Sequence, residues 1–205
     1  GDGCGDVAAS YDYPDGRQTL FVMRSRCGGF PAAPEFPIES WYEAAVGGID
    51  LEAWPLSVAA DFDGDGDADL AIARSVGGRS VVQVLRSSGT AFDAPAVAFD
   101  QPSTAVDLVG ARLVAGEFDD AAGIDLAVAQ GSRLYVLPGT TPAPAFGAPA
   151  EWYSAWGLDA TALLALGAGD IEGDGRANLA LVDAGPSGWA RLRLGASTGR
   201  FFGAR

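Results

Sequence analysis

The chain has 205 residues, a net charge of −14 and no histidine. That length is enough for one domain with a sizeable core. The acidic surface excludes nucleic acid and disfavours anionic membranes as partners, because phosphate binding needs basic residues. The lack of histidine removes the commonest general base and transition-metal ligand. No apolar run reaches the length of a membrane span.

Short runs typical of β-strands follow one another along the chain, bounded by glycine and proline. In chain order they are TLFVM, LSVAA, VVQVL, RLVAG, RLYVL, LLALG and ARLRL. Helix-period runs are absent apart from an expected helical turn near Ser40–Ala45. The sequence therefore predicts an all-β fold.

An acidic stretch, DFDGDGDADLA, begins at Asp61 and recurs along the chain. EFDDAAGIDLA begins at Glu117, DIEGDGRANLA begins at Asp170, and GDGCGDVAA at Gly1 matches the second half of the motif. Each copy is followed by a strand, a glycine turn, a second strand and a phenylalanine-led ending. A unit of four antiparallel strands repeated every roughly 50–60 residues is typical of a β-propeller blade. We expect one domain over residues 1–205 with four blade units, at about residues 1–37, 38–98, 99–150 and 151–205.

This repeat resembles the FG-GAP/VCBS repeat of integrin α-like calcium-binding β-propellers over essentially the whole chain. The resemblance implies a secreted or cell-surface scaffold or adhesion module that uses calcium and presents loops to a protein or glycan ligand. An enzyme is not expected, because no nucleophile elbow, phosphate loop or redox motif is present. Two alternatives stay open: a calcium-dependent carbohydrate-binding lectin on the same frame, and a non-catalytic part of a larger secreted enzyme.

The alternating aspartates predict a calcium site, because calcium takes six to eight oxygen ligands and such a loop can wrap it. The other interpretation is an acidic turn that stays in solvent. Positions one, three, five and nine of the loop supply side chains, and position seven supplies its carbonyl. The expected ligands are Asp61, Asp63, Asp65, Asp67 and Asp69 in one loop, and Asp170, Glu172, Asp174, Arg176 and Asn178 in the last. The glutamate and the neutral asparagine predict a weaker site in the last loop.

The two remaining copies of the motif are incomplete. The third keeps Glu117, Asp119 and Asp125, but Ala121 replaces the ligand at position five, so we expect no tight site there. The first keeps Asp2 and Asp6 and lacks positions one and three.

Seven large aromatic residues lie along the chain, and two stretches that contain them, ESWYEA and EWYSAW, follow phenylalanine-led endings. They could stack on sugar rings, but packing between blades is the favoured role, because large aromatics dominate such cores. The residues are Trp41, Tyr42, Trp54, Trp152, Tyr153, Trp156 and Trp189.

The only two cysteines are Cys4 and Cys27. In an up-and-down blade, the loops that hold them lie at the same end, so we expect a disulfide. Two free thiols are the alternative.

The first copy begins inside its acidic loop, so the strand that should precede it is missing. We expect this strand and further blades to come from another chain or from another part of the same precursor, because an unpaired blade edge invites pairing. The simpler alternative is that residues 196–205 fold back to complete the first blade.

Overall fold

A computed structural model of the chain describes residues 4–25, 38–44, 56–153, 159–184, 189–200 and 202–204. Nearly all regular structure in these residues is β-strand, and their one helical segment is a 3-10 turn at Ala160–Ala162. The expected all-β class is confirmed.

The described strands form one three-stranded, three four-stranded and one two-stranded antiparallel sheet. Sheet 1 contains β1 (Val7–Asp12), β2 (Gln18–Met23) and β3 (Ile38–Ala44). Sheet 2 contains β4 (Leu56–Ala60), β5 (Asp69–Val76), β6 (Arg79–Leu85) and β7 (Ala96–Pro102). Sheet 3 contains β8 (Arg112–Gly116), β9 (Asp125–Gln130), β10 (Arg133–Leu137) and β13 (Ala150–Tyr153). Between β10 and β13 the chain forms a separate hairpin of β11 (Gly139–Thr140) and β12 (Ala145–Phe146). Sheet 4 contains β14 (Leu163–Gly169), β15 (Asn178–Ala184), β16 (Ala190–Ser197) and β17 (Phe202–Ala204).

The last strand of each unit pairs back onto its own sheet. The first three sheets therefore end at Ala44, Pro102 and Tyr153, whereas the sequence repeats predict ends at about residues 37, 98 and 150. The helical turn expected near Ser40–Ala45 is wrong. Residues 38–44 are strand β3, because their backbone pairs with β2 from Met23 to Gln18, and such tertiary pairing overrides local propensity.

Sheet 1 differs from the other sheets at the edge formed by its first strand, β1. Strand β1 has the place in sheet 1 that β5, β9 and β15 have in theirs, but no described strand pairs with its free edge as β4, β8 and β14 do elsewhere. All of β1 is exposed. The last strand, β17, pairs with β16 in sheet 4, so it does not complete sheet 1, and the fold-back alternative is wrong.

The sheets pack face to face in chain order. We define the forward face of a sheet as the one that packs on the next sheet along the chain, and the rear face as the opposite one. Strand β4 contacts β8, and β8 contacts β14, so the first strands of sheets 2, 3 and 4 lie side by side. One core fills the space between sheets 2 and 3, and a second fills the space between sheets 3 and 4. A smaller cluster of Leu20, Ile72 and Leu85 joins sheets 1 and 2.

Aromatic pairs strengthen these contacts between sheets. The ring centroids of Trp41 and Phe92 lie 5.4 Å apart, and those of Trp152 and Phe202 lie 5.2 Å apart. Each pair joins neighbouring sheets, so the expected packing role is confirmed for Trp41 and Trp152. Trp54 and Trp156 lie outside the described residues, and Trp189 is exposed.

Candidate metal-binding loops

The loop between β4 and β5 is organised around Asp61. The Oδ1 atom of Asp61 accepts hydrogen bonds from the backbone N–H groups of Gly64 (2.8 Å) and Asp65 (3.1 Å), and its Oδ2 accepts from Gly66 (2.9 Å). Gly64 and Gly66 have φ angles of +81° and +93°, which residues with a Cβ atom rarely adopt. The two glycines therefore allow the backbone to curl around the first carboxylate.

Three carboxylates of this loop converge. One oxygen from each of Asp61, Asp63 and Asp65 lies within 4.8 Å of the others. Like charges at this separation repel one another, and a cation between them removes that cost. Carboxylate oxygens are also the donors that calcium prefers, so these three residues fit a calcium ion.

Asp69, at position nine, lies outside that group of three and is buried. Its Oδ2 accepts a hydrogen bond from Phe62 N (3.0 Å), and its Oδ1 accepts one from Ser87 N (2.7 Å). Burial raises the pKa of Asp69 to about 6, the bonds from Ser87 and Phe62 lower it, and the charges of Asp63 and Asp65 raise it. Asp69 thus joins the loop to the strand pair that follows, an arrangement we name the position-nine clamp.

The clamp recurs in full at Asp125 and in part at Asn178 and Asp6. Asp125 accepts from Phe118 N (2.9 Å), Asp119 N (3.2 Å) and Gly139 N (2.7 Å). Asn178 accepts from Ile171 N at 2.9 Å, and its buried Nδ2 has no hydrogen-bond partner among the described residues. Asp6 accepts from Ser25 N at 2.8 Å.

The loop between β14 and β15 repeats the backbone geometry of the Asp61 loop. Asp170 accepts from the N–H groups of Gly173 (2.6 Å), Asp174 (3.1 Å) and Gly175 (2.9 Å). These bonds, that from Gly175 first, hold the pKa of Asp170 below its usual value. The two loops therefore share one fold.

The side chains of the last loop are arranged differently from those of the Asp61 loop. No group of three converging carboxylates forms there among the described residues. Instead, Nη1 of Arg176 lies 3.6 Å from Oδ2 of Asp174, and its Nε donates to Oδ1 of Asp120 at 2.8 Å. Glu172 is exposed in the loop. The guanidinium places a positive charge beside an expected ligand, which weakens this loop as a cation site.

Sequence reasoning missed the convergence in the third loop. Oxygens of Glu117, Asp119 and Asp125 lie within 4.8 Å of one another, although Ala121 removes the position-five ligand. The Oε1 atom of Glu117 is buried without a hydrogen-bond partner. Burial, then the charges of Asp125 and Asp119, raise the pKa of Glu117 to about 7. The available signal was the longer side chain at position one.

Four other residues singled out from the sequence have different settings. Asp67 at position seven lies against the β6–β7 connection, where a Cβ on Gly89 would come within 2.8 Å of its Oδ2. Cys4 is described, whereas Asp2 and Cys27 lie outside the described residues.

A cavity of about 630 Å³ lies between sheets 1 and 2, next to the Asp61 loop. Its lining combines charged and aromatic side chains, including Asp6, Arg24, Trp41, Asp67, Asp69 and Phe92. Such a mixture of apolar surface and a few polar groups is typical of small-molecule sites.

These features define a class of all-β repeat proteins, in which an acidic, glycine-containing loop joins the first two strands of sheets 2, 3 and 4. The family model of the FG-GAP repeat matches residues 53–85, which cover the Asp61 loop and strands β4 to β6. This match confirms the expected resemblance to the FG-GAP family over residues 53–85.

One similar solved structure is a lectin from Agrocybe aegerita that specifically recognises non-reducing terminal N-acetylglucosamine. It has 17% identity and a TM-score of 0.61, and the match covers 98% of this chain and 52% of that one. The chain thus spans about half the length of that lectin, and the likeness concerns the fold. No curated protein matches the sequence. Among the described residues, no helix is long and apolar enough to cross a membrane.

Proposed function

We propose that the chain is a calcium-stabilised β-propeller region that acts outside the cell as a structural, adhesion or protein-interaction scaffold. The observation that carries the proposal is the convergence of Asp61, Asp63 and Asp65 in a loop already shaped by backbone hydrogen bonds. The FG-GAP match at this loop supports the proposal. The role is not catalytic, and a disulfide between Cys4 and Cys27 suits the oxidising compartment.

Calcium would be held by the three converging carboxylates, with Asp67 and Asp69 completing the loop. The ion would neutralise a concentration of negative charge that otherwise opposes folding. Extracellular calcium modules bind with dissociation constants of about 10⁻⁴–10⁻³ M. At a hundredfold excess over that constant, one site adds about 2.7 kcal/mol to the free energy of unfolding.

Thermal melting with calcium and with a chelator tests this proposal. We expect chelation to lower the melting temperature by roughly 5–10 °C, given the size of the chain. Asp65→Ala should abolish most of that difference. Asp12→Ala removes an exposed aspartate at the end of β1 and is the matched control. This variant should keep the difference in melting temperature between calcium and chelator. An identical melting temperature in chelator and in calcium would refute the calcium proposal.

A lectin is the second candidate, favoured by the cavity between sheets 1 and 2 and by the likeness to the Agrocybe aegerita lectin. In this case the ligand would be a glycan. Calorimetric titration with an oligosaccharide ending in N-acetylglucosamine, with and without calcium, distinguishes the two functions. Arg24→Ala should abolish binding through the cavity, and Arg112→Ala, on the exposed part of β8, should leave it unchanged. No heat of binding with any tested glycan would favour the scaffold.

The proposed scaffold needs further structure to complete it. The free edge of β1 and the lack of a closed sheet among the described residues support completion of the propeller by another chain or another part of the precursor. A non-catalytic region of a larger secreted enzyme fits the same observations.

A further inference from the structure

The forward faces of the sheets follow one rule. Across the second and third strands of sheets 2 and 3, two directly opposed pairs face the next sheet, with alanine on the second strand and a valine or leucine on the third. These pairs are Ala71–Val84 and Ala73–Val82 in sheet 2, and Ala127–Val136 and Ala129–Leu134 in sheet 3. All of them are buried within the two sheet-to-sheet cores. Pairs of a small and a branched residue thus form the forward side of these two contacts between neighbouring sheets, which we call the forward half of the sheet-to-sheet interface.

Sheet 4 carries a similar forward half, in which Val182 replaces the second alanine, and this half has no described partner. Its register places Ala180 opposite Leu194 and Val182 opposite Leu192. Leu192 is 65% exposed, whereas Leu134, which has the same place in sheet 3, is 2% exposed. The face is apolar, and nothing in the described part of the chain covers Leu192.

Sheet 1 carries the rear half. The rear pairs Leu70–Leu85 and Leu126–Leu137 lie in the sheet-to-sheet contacts of sheets 2 and 3. The corresponding row of sheet 1 runs across three strands, as Val7, Met23 and Ile38. Val7 is 43% exposed and Ile38 is 59% exposed. The next row, Ala9 and Phe21, continues this apolar surface.

We propose that the forward face of sheet 4 docks on the rear face of sheet 1 of a second copy of this chain. The argument is continuity with an interface already present: forward-to-rear packing joins sheets 1 and 2, 2 and 3, and 3 and 4. Among the described residues, the forward half on sheet 4 and the rear half on sheet 1 are both unpaired. The contact is heterologous, because the two surfaces that meet are different.

Apolar patches of this kind mark association sites. The net charge of −14 opposes association of two copies, so physiological or higher salt should favour it by screening. The inference rests on the proposed scaffold, in that it identifies the partner as a second copy. It fails separately from the calcium proposal, because mass and calcium-dependent melting are independent measurements.

Light scattering and sedimentation of the 205-residue chain test the contact. We expect the mass of two or more copies at physiological salt. Leu192→Glu should give the mass of one copy by placing a charge on the forward face, and Ile38→Glu should do the same on the rear face. Both side chains are more than half exposed, so each variant should keep the melting temperature of the parent. Val7→Glu is a second rear-face variant if Ile38→Glu does not fold. Val109→Glu, exposed in the β7–β8 connection, is the control and should still associate.

A mixture of the two single variants tests whether the forward face of one copy binds the rear face of another. The intact forward face of Ile38→Glu should bind the intact rear face of Leu192→Glu, so an equimolar mixture should recover a one-to-one complex although neither variant associates alone. A parent chain that stays a single copy up to its solubility limit would overturn the proposal. So would association that survives both substitutions, or a mixture that stays dissociated.

Discussion

A single side chain at position nine holds the backbone of three acidic loops at the start of the strand that follows each loop. Asp69, Asp125 and Asn178 are all nearly inaccessible to solvent, and each accepts a backbone hydrogen bond from the residue after loop position one. The aspartates bond a second segment as well, at Ser87 and Gly139. Buried N–H groups are costly when left unpaired, so this residue has a structural role whether or not a metal is bound.

Substitution of Asp125 should therefore be strongly destabilising. Asp125→Ala leaves the N–H groups of Phe118 and Gly139 without their acceptor, at about 1–3 kcal/mol each. A loss of about 3 kcal/mol lowers the melting temperature of a chain this size by roughly 6–12 °C. Asp125→Asn keeps one acceptor oxygen, as Asn178 does in the last loop. It should therefore lose less free energy of unfolding than Asp125→Ala. Equal melting temperatures for both variants and the parent in chelator would contradict the clamp.

The buried Glu117 carboxyl predicts a pH effect on the metal-free protein. Its pKa is raised from 4.5 to about 7 by burial, Asp125 and Asp119, so the folded state holds this proton more tightly than the unfolded state. The associated stability is fully present below pH 4.5 and is lost as the pH rises through about 7. Urea unfolding in chelator should show this decline, and Glu117→Gln should reduce it. If the stability of Glu117→Gln declined with pH as steeply as that of the parent, Glu117 would not be the cause of the decline.

At the level of whole elements, the loops at Asp61 and Asp170 have the same backbone and differ in charge. Position seven is Asp67 in one and Arg176 in the other, and Arg176 binds Asp120 of the preceding loop. The arginine thus joins two neighbouring loops through an ion pair, where the Asp61 loop instead gathers three carboxylates.

Arg176→Asp should turn the last loop into a better cation site. The change removes the guanidinium 3.6 Å from Asp174 and makes position seven match the Asp61 loop. We expect a second calcium equivalent in a calorimetric titration and a larger calcium-dependent rise in melting temperature. Arg200→Asp, which makes the same charge change at an exposed position after β16, is the control. An unchanged stoichiometry would show that Glu172 and Asn178 limit the site instead.

The strands and their repetition could be predicted because short apolar runs between glycines specify them locally. Strand β3 could not, since ESWYEA takes its conformation from pairing with β2. The carboxylates of the Asp61 loop were predictable from their spacing along the chain. The cluster around Glu117 was not, because it depends on a longer side chain reaching Asp125 through space. The bonds of Asp69 to Phe62 and Ser87 also needed the fold, which brings the β6–β7 connection to the loop.

At the scale of the molecule, sheet 1 is the least enclosed unit, because all of β1 is exposed. A Cys4–Cys27 disulfide would compensate by restricting the unfolded chain, with a contribution of about 3 kcal/mol in the entropy model. Cys4→Ser should therefore lower the melting temperature, and a reducing agent should lower that of the parent to a similar value. Thiol labelling of the denatured, unreduced protein is the direct measurement. Two reactive thiols per chain would exclude the bridge.

The position-nine clamp has a consequence for how such repeats diverge after duplication. Because buried backbone bonds hold each loop in shape, the exposed carboxylates at its tip can drift without loss of the sheet behind it. The copies illustrate successive degrees of that drift: a full acidic set at Asp61, an arginine at position 176, and an alanine at position 121. A copy can therefore lose carboxylates at the tip of its loop while the residue at position nine still supports the sheet.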